Sequence, residues 1–133
     1  MKFELQRVGY MPNELAPGIL YVSDEFGIAI HLCACGCGSK IKTQLGPTEW
    51  WVRDTKGGPT LRPSIGNWQE KCQSHYFITR GKVVWAEKWT PEEIAEGRRR
   101  EELRRDAHFK RVSVPGKFWR WLKRCLYESS SKR

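Results

Sequence analysis

Side chains that can bind metal are concentrated in two short stretches of this chain. The first contains Cys33, Cys35 and Cys37, with a glycine after each of the last two. The second contains Cys72 and, three residues later, His75. Thiolate sulfur and imidazole nitrogen are ligands that zinc prefers, usually four in a tetrahedron. We therefore interpret the two stretches as the two halves of one metal site.

The candidate ligands outnumber the four positions of a tetrahedral zinc ion, so two ligand sets remain open. A straight strand would hold alternate sulfurs about 6–7 Å apart, but the two glycines let the backbone curl and bring them together. The first set closes the site with four thiolates and leaves no position for water, as in a structural centre: Cys33, Cys35, Cys37 and Cys72. The second set replaces one of the first three cysteines with His75. If the chain is extended after Cys72, His75 points to the opposite face, which favours the first set.

A serine and a histidine form a second candidate site. Ser64 lies in the turn-forming stretch Arg62–Gly66, just before the segment that carries His75. A serine on a constrained turn beside a histidine can act as a nucleophile with its general base. The third member that would orient the histidine is left open among Glu25, Glu49 and Asp54. His31, on the stretch that enters the first cysteines, is a candidate base, metal ligand or outer support of the metal site.

Composition limits the class of protein. The chain has 133 residues, of which 39% are hydrophobic, and a net charge of +9. A domain of this size gains limited stability from burial alone, so a metal centre would add to it. No stretch reaches the about 18 apolar residues of a membrane-spanning helix, and the N-terminus lacks the apolar run of a signal peptide. The five cysteines, an odd number, then favour metal binding in the reducing cytoplasm over disulfides.

Residues 1–89 are predicted to form a small antiparallel sheet stapled by zinc. Short apolar or alternating stretches, separated by turn-forming residues, predict its strands: Lys2–Val8, Gly18–Ser23, Gly27–Leu32, Lys40–Leu45, Trp50–Asp54, Thr60–Arg62, Tyr76–Thr79 and Lys82–Ala86. The stretch Pro63–Gly66 breaks this pattern and indicates a turn or bulge. Arg80 and Gly81 predict a tight hairpin between the last two strands.

Residues 90–133 are predicted to form a basic helical extension, which carries +6 of the net charge. Thr90 and Glu93 form a capping box, with a proline at the first helical position between them. This helix is expected to run to about Lys110, and the stretch Val114–Gly116 to separate it from a second helix over Lys117–Tyr127. The predicted fold is therefore mainly β with a C-terminal α-helical extension, α+β overall.

Three groups of residues, in order and spacing, resemble a bacterial zinc-binding domain family that was formerly of unknown function. They are His31-x-Cys33-x-Cys35-Gly36-Cys37-Gly38, Leu61-x-Pro63-Ser64-Ile65, and Cys72-x-Ser74-His75-Tyr76 followed by Gly81–Trp85. The resemblance covers roughly Leu15 to Ala86, and the family's members often lie beside genes for bacterial ubiquitin-like conjugation machinery. Ala34 departs from the pattern, since many relatives have proline there; this lowers rigidity without removing a ligand.

The resemblance implies a zinc-bound serine-type peptidase, similar to a deubiquitinase, that processes a bacterial ubiquitin-like protein or its conjugates. It implies structural zinc on the four cysteines, Ser64 as nucleophile and His75 as general base. Backbone N–H groups near Ile65 and Gly66 would then hold the oxyanion. The implied partners are the ubiquitin-like protein, its conjugates and conjugation enzymes of the same operon.

The alternative function is a non-catalytic, zinc-stapled binding module. Basic residues over 98–111 could contact nucleic acid phosphates or an acidic protein. Acidic residues interrupt this run, as they do on an ordinary solvated helix face. Tryptophans near the C-terminus also suit docking on a partner protein, while binding to a membrane is not expected.

Overall fold

The computed structural model describes the backbone of residues 1–130 and the side chains of residues 1–112, 120 and 121. In this part of the chain, eight short strands precede one helix, which confirms the predicted mainly β, α+β fold. The elements are β1 (Glu4–Arg7), β2 (Ile19–Ser23), β3 (Ile28–Leu32), β4 (Lys40–Gln44), β5 (Trp51–Thr55), β6 (Gly58–Gly66), β7 (His75–Thr79), β8 (Lys82–Trp85) and α1 (Pro91–Ser130).

The strands form two four-stranded sheets rather than one. The first has the order β1-β2-β3-β4 and the second the order β5-β6-β7-β8. The expectation of purely antiparallel pairing is wrong at one place, since β1 pairs with β2 in parallel. The connection over residues 8–18 is long enough to return the chain to the starting end of the sheet, which a parallel pair requires.

In the second sheet, tight turns join β5 to β6 and β7 to β8, whereas the longer segment 67–74 joins β6 to β7. At the turn between β7 and β8, Arg80 and Gly81 both have positive φ, 49° and 76°. This is the backbone that a two-residue hairpin needs, so the predicted turn is confirmed. A Cβ at Gly81 would lie 2.7 Å from the carbonyl oxygen of Phe3, so the close approach of the first strand also requires glycine.

The predicted interruption at Pro63–Gly66 is a bulge inside a longer strand. Strand β6 continues through Gly66, and its register against β7 shifts between Leu61 and Ile65. Pairing with β5 ends at the Trp51–Arg62 pair. The proline that follows has no N–H to donate, so it stands where the ladder on that side stops.

Both sheets contribute to one hydrophobic core. Phe3 and Leu20 from the first sheet side and Leu61, Tyr76 and Ile78 from the second have no exposed surface. Along β7, Tyr76 and Ile78 point into this core, so the residues next to them, His75 and Phe77, point to the other face of the sheet. The opposite face of the second sheet is therefore directed away from the core, and this face carries Ser64 and His75.

The C-terminal extension is one helix over the described residues, so the predicted break at Val114–Gly116 is wrong. Proline inside a helix removes one hydrogen bond and favours a kink, but it does not oblige the helix to end. The capping box is confirmed, with Thr90 N–H donating to Glu93 Oε2 at 2.7 Å and Glu93 N–H to Thr90 Oγ1 at 3.2 Å. The side chains of the predicted second helix lie almost entirely outside the described ones.

The chain divides into two compact units, Met1–Ile94 and Ala95–Arg133. The predicted domain boundary between residues 89 and 90 stays a prediction. Within the described residues, none of the helical segments combines the length and the apolar character that crossing a membrane requires.

Candidate functional site

The four predicted cysteine ligands form one cluster. The Sγ atoms of Cys33, Cys35, Cys37 and Cys72 all lie within 4.8 Å of one another. Individual separations are 3.4 Å for Cys33–Cys35, 3.8 Å for Cys37–Cys72 and 4.0 Å for Cys33–Cys72. Zinc–sulfur bonds of about 2.3 Å in a tetrahedron place sulfur atoms about 3.8 Å apart. The cluster therefore fits a single tetrahedral metal ion.

Two tight turns bring the cysteines together. In the first, Gly36 and Gly38 have φ of 86° and 83°, and the chain closes with Gly36 N–H donating to Cys33 O at 3.1 Å. In the second, Gln73 has a positive φ of 45° directly after Cys72. Strand β7 begins only at His75, so the premise of an extended chain from Cys72 is wrong.

The surroundings of the cysteines shift the pKa values of their thiols in opposite directions. Burial raises the pKa of the Cys33 thiol to about 11. Hydrogen bonds from the side chain and backbone of Ser39 lower the pKa of Cys37 to about 6, and the Ser74 hydroxyl lowers the pKa of Cys72. A cation at the centre of the cluster would stabilise all the thiolates. Deprotonation of the buried Cys33 is thus expected to accompany metal binding.

His75 lies outside the cysteine cluster and contacts Ser64. Its Nε2 is 2.9 Å from Ser64 Oγ, a hydrogen-bonding distance. Strand pairing creates this contact, because Gly66 on β6 lies opposite His75 on β7 and Ser64 is two residues before it. The structure thus brings together the two residues predicted as nucleophile and general base.

A backbone carbonyl orients the imidazole of His75. Nδ1 lies 2.6 Å from the carbonyl oxygen of Glu87, which can only accept a hydrogen bond. The proton therefore resides on Nδ1, and Nε2 is free to accept the Ser64 hydroxyl proton. The expectation of an acidic third member is wrong, because a backbone carbonyl and not a carboxylate contacts Nδ1. Glu25 and Asp54 are exposed on other segments. The Glu87 carbonyl also occupies the position that was expected for Glu49.

Two tryptophans enclose the histidine. The Trp68 and Trp89 rings lie 5.0 Å and 5.1 Å from the His75 ring, and 5.8 Å from each other in a stacked arrangement. His75 is 6% exposed, and these two rings are among the groups that surround it. Neither tryptophan was expected at this site, since both lie in irregular segments without a recognisable motif. Their proximity depends on the chain path and not on spacing.

His31 is neither beside Ser64 nor in the cysteine cluster. It is fully buried, and its Nε2 lies 2.8 Å from the Tyr76 hydroxyl. The same hydroxyl accepts the Ala34 N–H at 3.3 Å. Burial lowers the pKa of His31 to about 4, so the ring is neutral near neutral pH. Of its predicted roles, support of the metal loop agrees with these contacts.

An asparagine connects the two sites. Asn67 directly follows Gly66, and its Nδ2 donates to Cys33 Sγ at 3.3 Å. Its own backbone N–H donates to Ser74 O at 2.9 Å, next to His75. Sequence reasoning missed this residue, although its position between the serine motif and the second cysteine stretch was a possible signal.

The basic run over residues 98–111 lies along the helix. Arg98, Arg99, Arg100 and Arg104 are exposed, and the Glu96 carboxylate contacts both Arg99 and Arg100. Such exposed ion pairs contribute little to stability and partly neutralise the charge. The nucleic-acid interface expected here stays a prediction.

Comparison with known proteins gives one result. The family described as "bacterial ubiquitination-like system serine protease (BubE)" matches residues 7–86. No curated protein and no solved structure matches the chain. The matched segment includes Ser64, His75 and the four clustered cysteines, and ends one residue before Glu87. Because this segment is more than half of the chain, the protein belongs to the family of bacterial ubiquitination-like system serine proteases.

Proposed function

We propose that this protein is a serine-type peptidase that processes a bacterial ubiquitin-like protein or removes it from its conjugates. Ser64 is the nucleophile and His75 the general base. The observation that carries this proposal is the 2.9 Å contact between His75 Nε2 and Ser64 Oγ, with Nδ1 held by a carbonyl. The family match supports the class of reaction and the class of partner.

In the first step, His75 Nε2 accepts the Ser64 hydroxyl proton while Oγ attacks the carbonyl carbon of the substrate's last retained residue. The protonated imidazole then gives this proton to the leaving amine, and an acyl-enzyme remains. Water, deprotonated by the same Nε2, releases the acyl group. Trp68 and Trp89 keep bulk water from the ring, so the His75–Ser64 hydrogen bond competes with less solvent.

The backbone of β6 narrows the choice of oxyanion donor. Asn67 N–H donates to Ser74 O, so Asn67 and, two residues earlier, Ile65 direct their N–H groups toward β7, because backbone direction alternates along a strand. The N–H of Gly66 points to the side of β6 away from β7. Of the two N–H groups expected to hold the oxyanion, those of Ile65 and Gly66, it is the one that the pairing with β7 does not use. We therefore assign oxyanion binding to Gly66.

The four cysteines hold a structural zinc ion in this proposal. Zinc would cross-link the two turns that carry the cysteines. It would take no part in the hydrolysis, because four thiolates complete its tetrahedron. Its effect on His75 is indirect, through the segment between Cys72 and β7. The thiols form no disulfides in the structure, which suits a reducing compartment such as the cytoplasm.

The test is hydrolysis of a ubiquitin-like protein carrying a C-terminal extension, followed by mass spectrometry. Ser64→Ala and His75→Ala are expected to lower kcat/KM at least about 10³-fold with unchanged zinc content, and Ser64→Ala is expected to keep near-native thermal stability. His108→Ala, a histidine of the helix, is the matched control. A fluorophosphonate probe should label wild-type protein at Ser64. Full cleavage by Ser64→Ala would overturn the proposal.

The alternative of a binding module without catalysis makes a different prediction for the same proteins. It expects no fluorophosphonate labelling, together with binding of nucleic acid or an acidic protein that weakens steeply as salt rises. The ion pairs of Glu96 with two arginines do not favour this alternative. Conjugation enzymes of the same operon remain partners of the hydrolase in the first proposal.

A further inference from the structure

Strand β6 extends beyond the end of its neighbour β5 at the place where Ser64 lies. The last β5–β6 pair is Trp51–Arg62, whereas pairing with β7 continues to the Gly66–His75 pair. The end of β6 therefore has a neighbouring strand on one side only. On the other side, β5 reaches along β6 only as far as the Trp51–Arg62 pair, at the N-terminal end of β5.

The register fixes which backbone groups point toward this open edge. Asn67 N–H donates to Ser74 O, and Ile65 is paired with Tyr76, so both residues direct their backbone groups toward β7. Backbone direction alternates along a strand, so Ser64 and Gly66 direct theirs toward the open edge. One observed contact agrees: the indole N–H of Trp50, the residue just before β5, donates to Ser64 O at 3.4 Å.

The edge at Gly66 is accessible. Gly66 is exposed, and among the described residues we find no hydrogen bond to its N–H or carbonyl outside the strand ladders. An exposed edge of this kind is a template for an additional strand. Ser64 and Gly66, the two residues that face this edge, are about 7 Å apart. The Ser64 carbonyl already accepts the Trp50 indole N–H, so the groups of Gly66 are the ones available to a substrate strand.

We propose that the substrate's main chain binds along this edge of β6 as an additional strand. An N–H of this strand donates to the Gly66 carbonyl, and the scissile carbonyl lies at Ser64 with its oxygen accepting the Gly66 N–H. This inference rests on the proposed peptidase function and names its substrate class: an extended, flexible segment such as a protein's C-terminal tail. A folded loop or a helix cannot offer alternating main-chain groups to the edge.

The packing at Gly66 supports this use of the edge. A Cβ at Gly66 would lie 2.5 Å from Nε1 of Trp68, so no side chain fits on the face that carries the site. The indole occupies that space beside the His75 ring. Glycine thus lets Trp68 cover the histidine while the N–H and carbonyl of the same residue stay available in the plane of the sheet.

The experiment scans the substrate's backbone, so the enzyme stays the full wild-type chain. A ubiquitin-like protein that this enzyme cleaves is made by ligation, with one N-methyl group at a time on each of the six residues before the cleavage point. Methylation removes one donor and adds bulk. We expect kcat/KM to fall about tenfold or more at alternate positions and to change less than threefold at the positions between them.

The outcomes separate the two proposals. Alternating sensitivity, mainly in KM, supports the added strand. Equal sensitivity or insensitivity at all six positions, with the unmodified protein still cleaved, overturns it and leaves the peptidase intact. If the unmodified protein is not cleaved and fluorophosphonate does not label Ser64, the peptidase itself is overturned. The matched control carries the N-methyl groups, one at a time, on six residues of an exposed loop in the folded part of the ubiquitin-like protein. These groups should not change kcat/KM.

Discussion

The cysteine cluster and the Ser64–His75 pair are built in opposite ways. Three of the four cysteines fall within five residues, so local turns alone bring most of the cluster together. Ser64 and His75 are eleven residues apart and meet only because β6 and β7 pair in one register. A slip of one residue would send His75 to the other face. A metal motif is therefore a local property of the sequence, whereas this pair depends on the sheet.

The structure also couples the two regions residue by residue. Asn67, just after Gly66, donates to Cys33 Sγ, while Tyr76, just after His75, accepts the N–H of Ala34 in the cysteine turn. Each strand of the Ser64–His75 pair is thus fastened to the metal loop by the residue next to the site. Cys72→Ser and Tyr76→Phe test this coupling, and Trp89→Ala tests the surroundings of His75 apart from it.

The largest effect is expected from loss of the metal. Cys72→Ser removes one of the four proposed zinc ligands, which should abolish stoichiometric zinc binding and lower the free energy of unfolding by several kcal/mol. Hydrolysis should fall with it, since β7 starts three residues later. Zinc content, urea unfolding and kcat/KM measure the three quantities. Cys125→Ser, which changes none of the four, is the control, and a zinc-free variant with wild-type stability would contradict the coupling.

A smaller effect is expected from opening the aromatic enclosure of His75. Trp89→Ala removes one of the two rings and lets water reach the imidazole, so kcat should fall about 10- to 100-fold through looser positioning. Zinc content should not change. Trp89→Phe keeps a ring against His75 and should restore most of the activity. Wild-type kcat in Trp89→Ala would show that the enclosure has no role in positioning.

The smallest effect is expected from Tyr76→Phe. The lost hydroxyl leaves the Ala34 N–H and His31 Nε2 without their partner, which should cost about 1–3 kcal/mol of unfolding free energy. At a temperature where the variant is folded, kcat/KM should fall less than zinc affinity, because the register of β6 and β7 is kept. Tyr10→Phe, at an exposed tyrosine, is the control. Equal stability of the two variants would contradict a link through this hydroxyl.

Much of the fold could be predicted because its signals are local. The hairpin at Arg80 and Gly81 follows from a turn that needs positive φ, and the helix start follows from the Thr90 and Glu93 capping box. The strand through Pro63 could not be predicted in the same way. Proline weakens a ladder only on the side where its N–H is missing, and the sequence does not show which side is paired.

The candidate site shows the same division. The ligand cysteines and the serine could be chosen from residue type and spacing, with the family resemblance raising the serine above other candidates. The Glu87 carbonyl could not, because every residue carries a carbonyl and only the chain path selects one. Trp68 and Trp89 were missed for the same reason: their contact with His75 is set by two irregular segments.

The contact of His75 with the Glu87 carbonyl changes what mutagenesis can detect. Replacing the side chain at position 87 leaves the carbonyl in place, held near β7 by the Ala86 N–H donating to His75 O at 2.8 Å. In the proposed mechanism, an alanine scan would therefore detect Ser64 and His75 but not the Glu87 carbonyl that acts with them. A neutral dipole also stabilises an imidazolium less than a carboxylate does. In the proposed mechanism, the third group therefore belongs to the backbone, and it does not depend on which side chain stands at position 87.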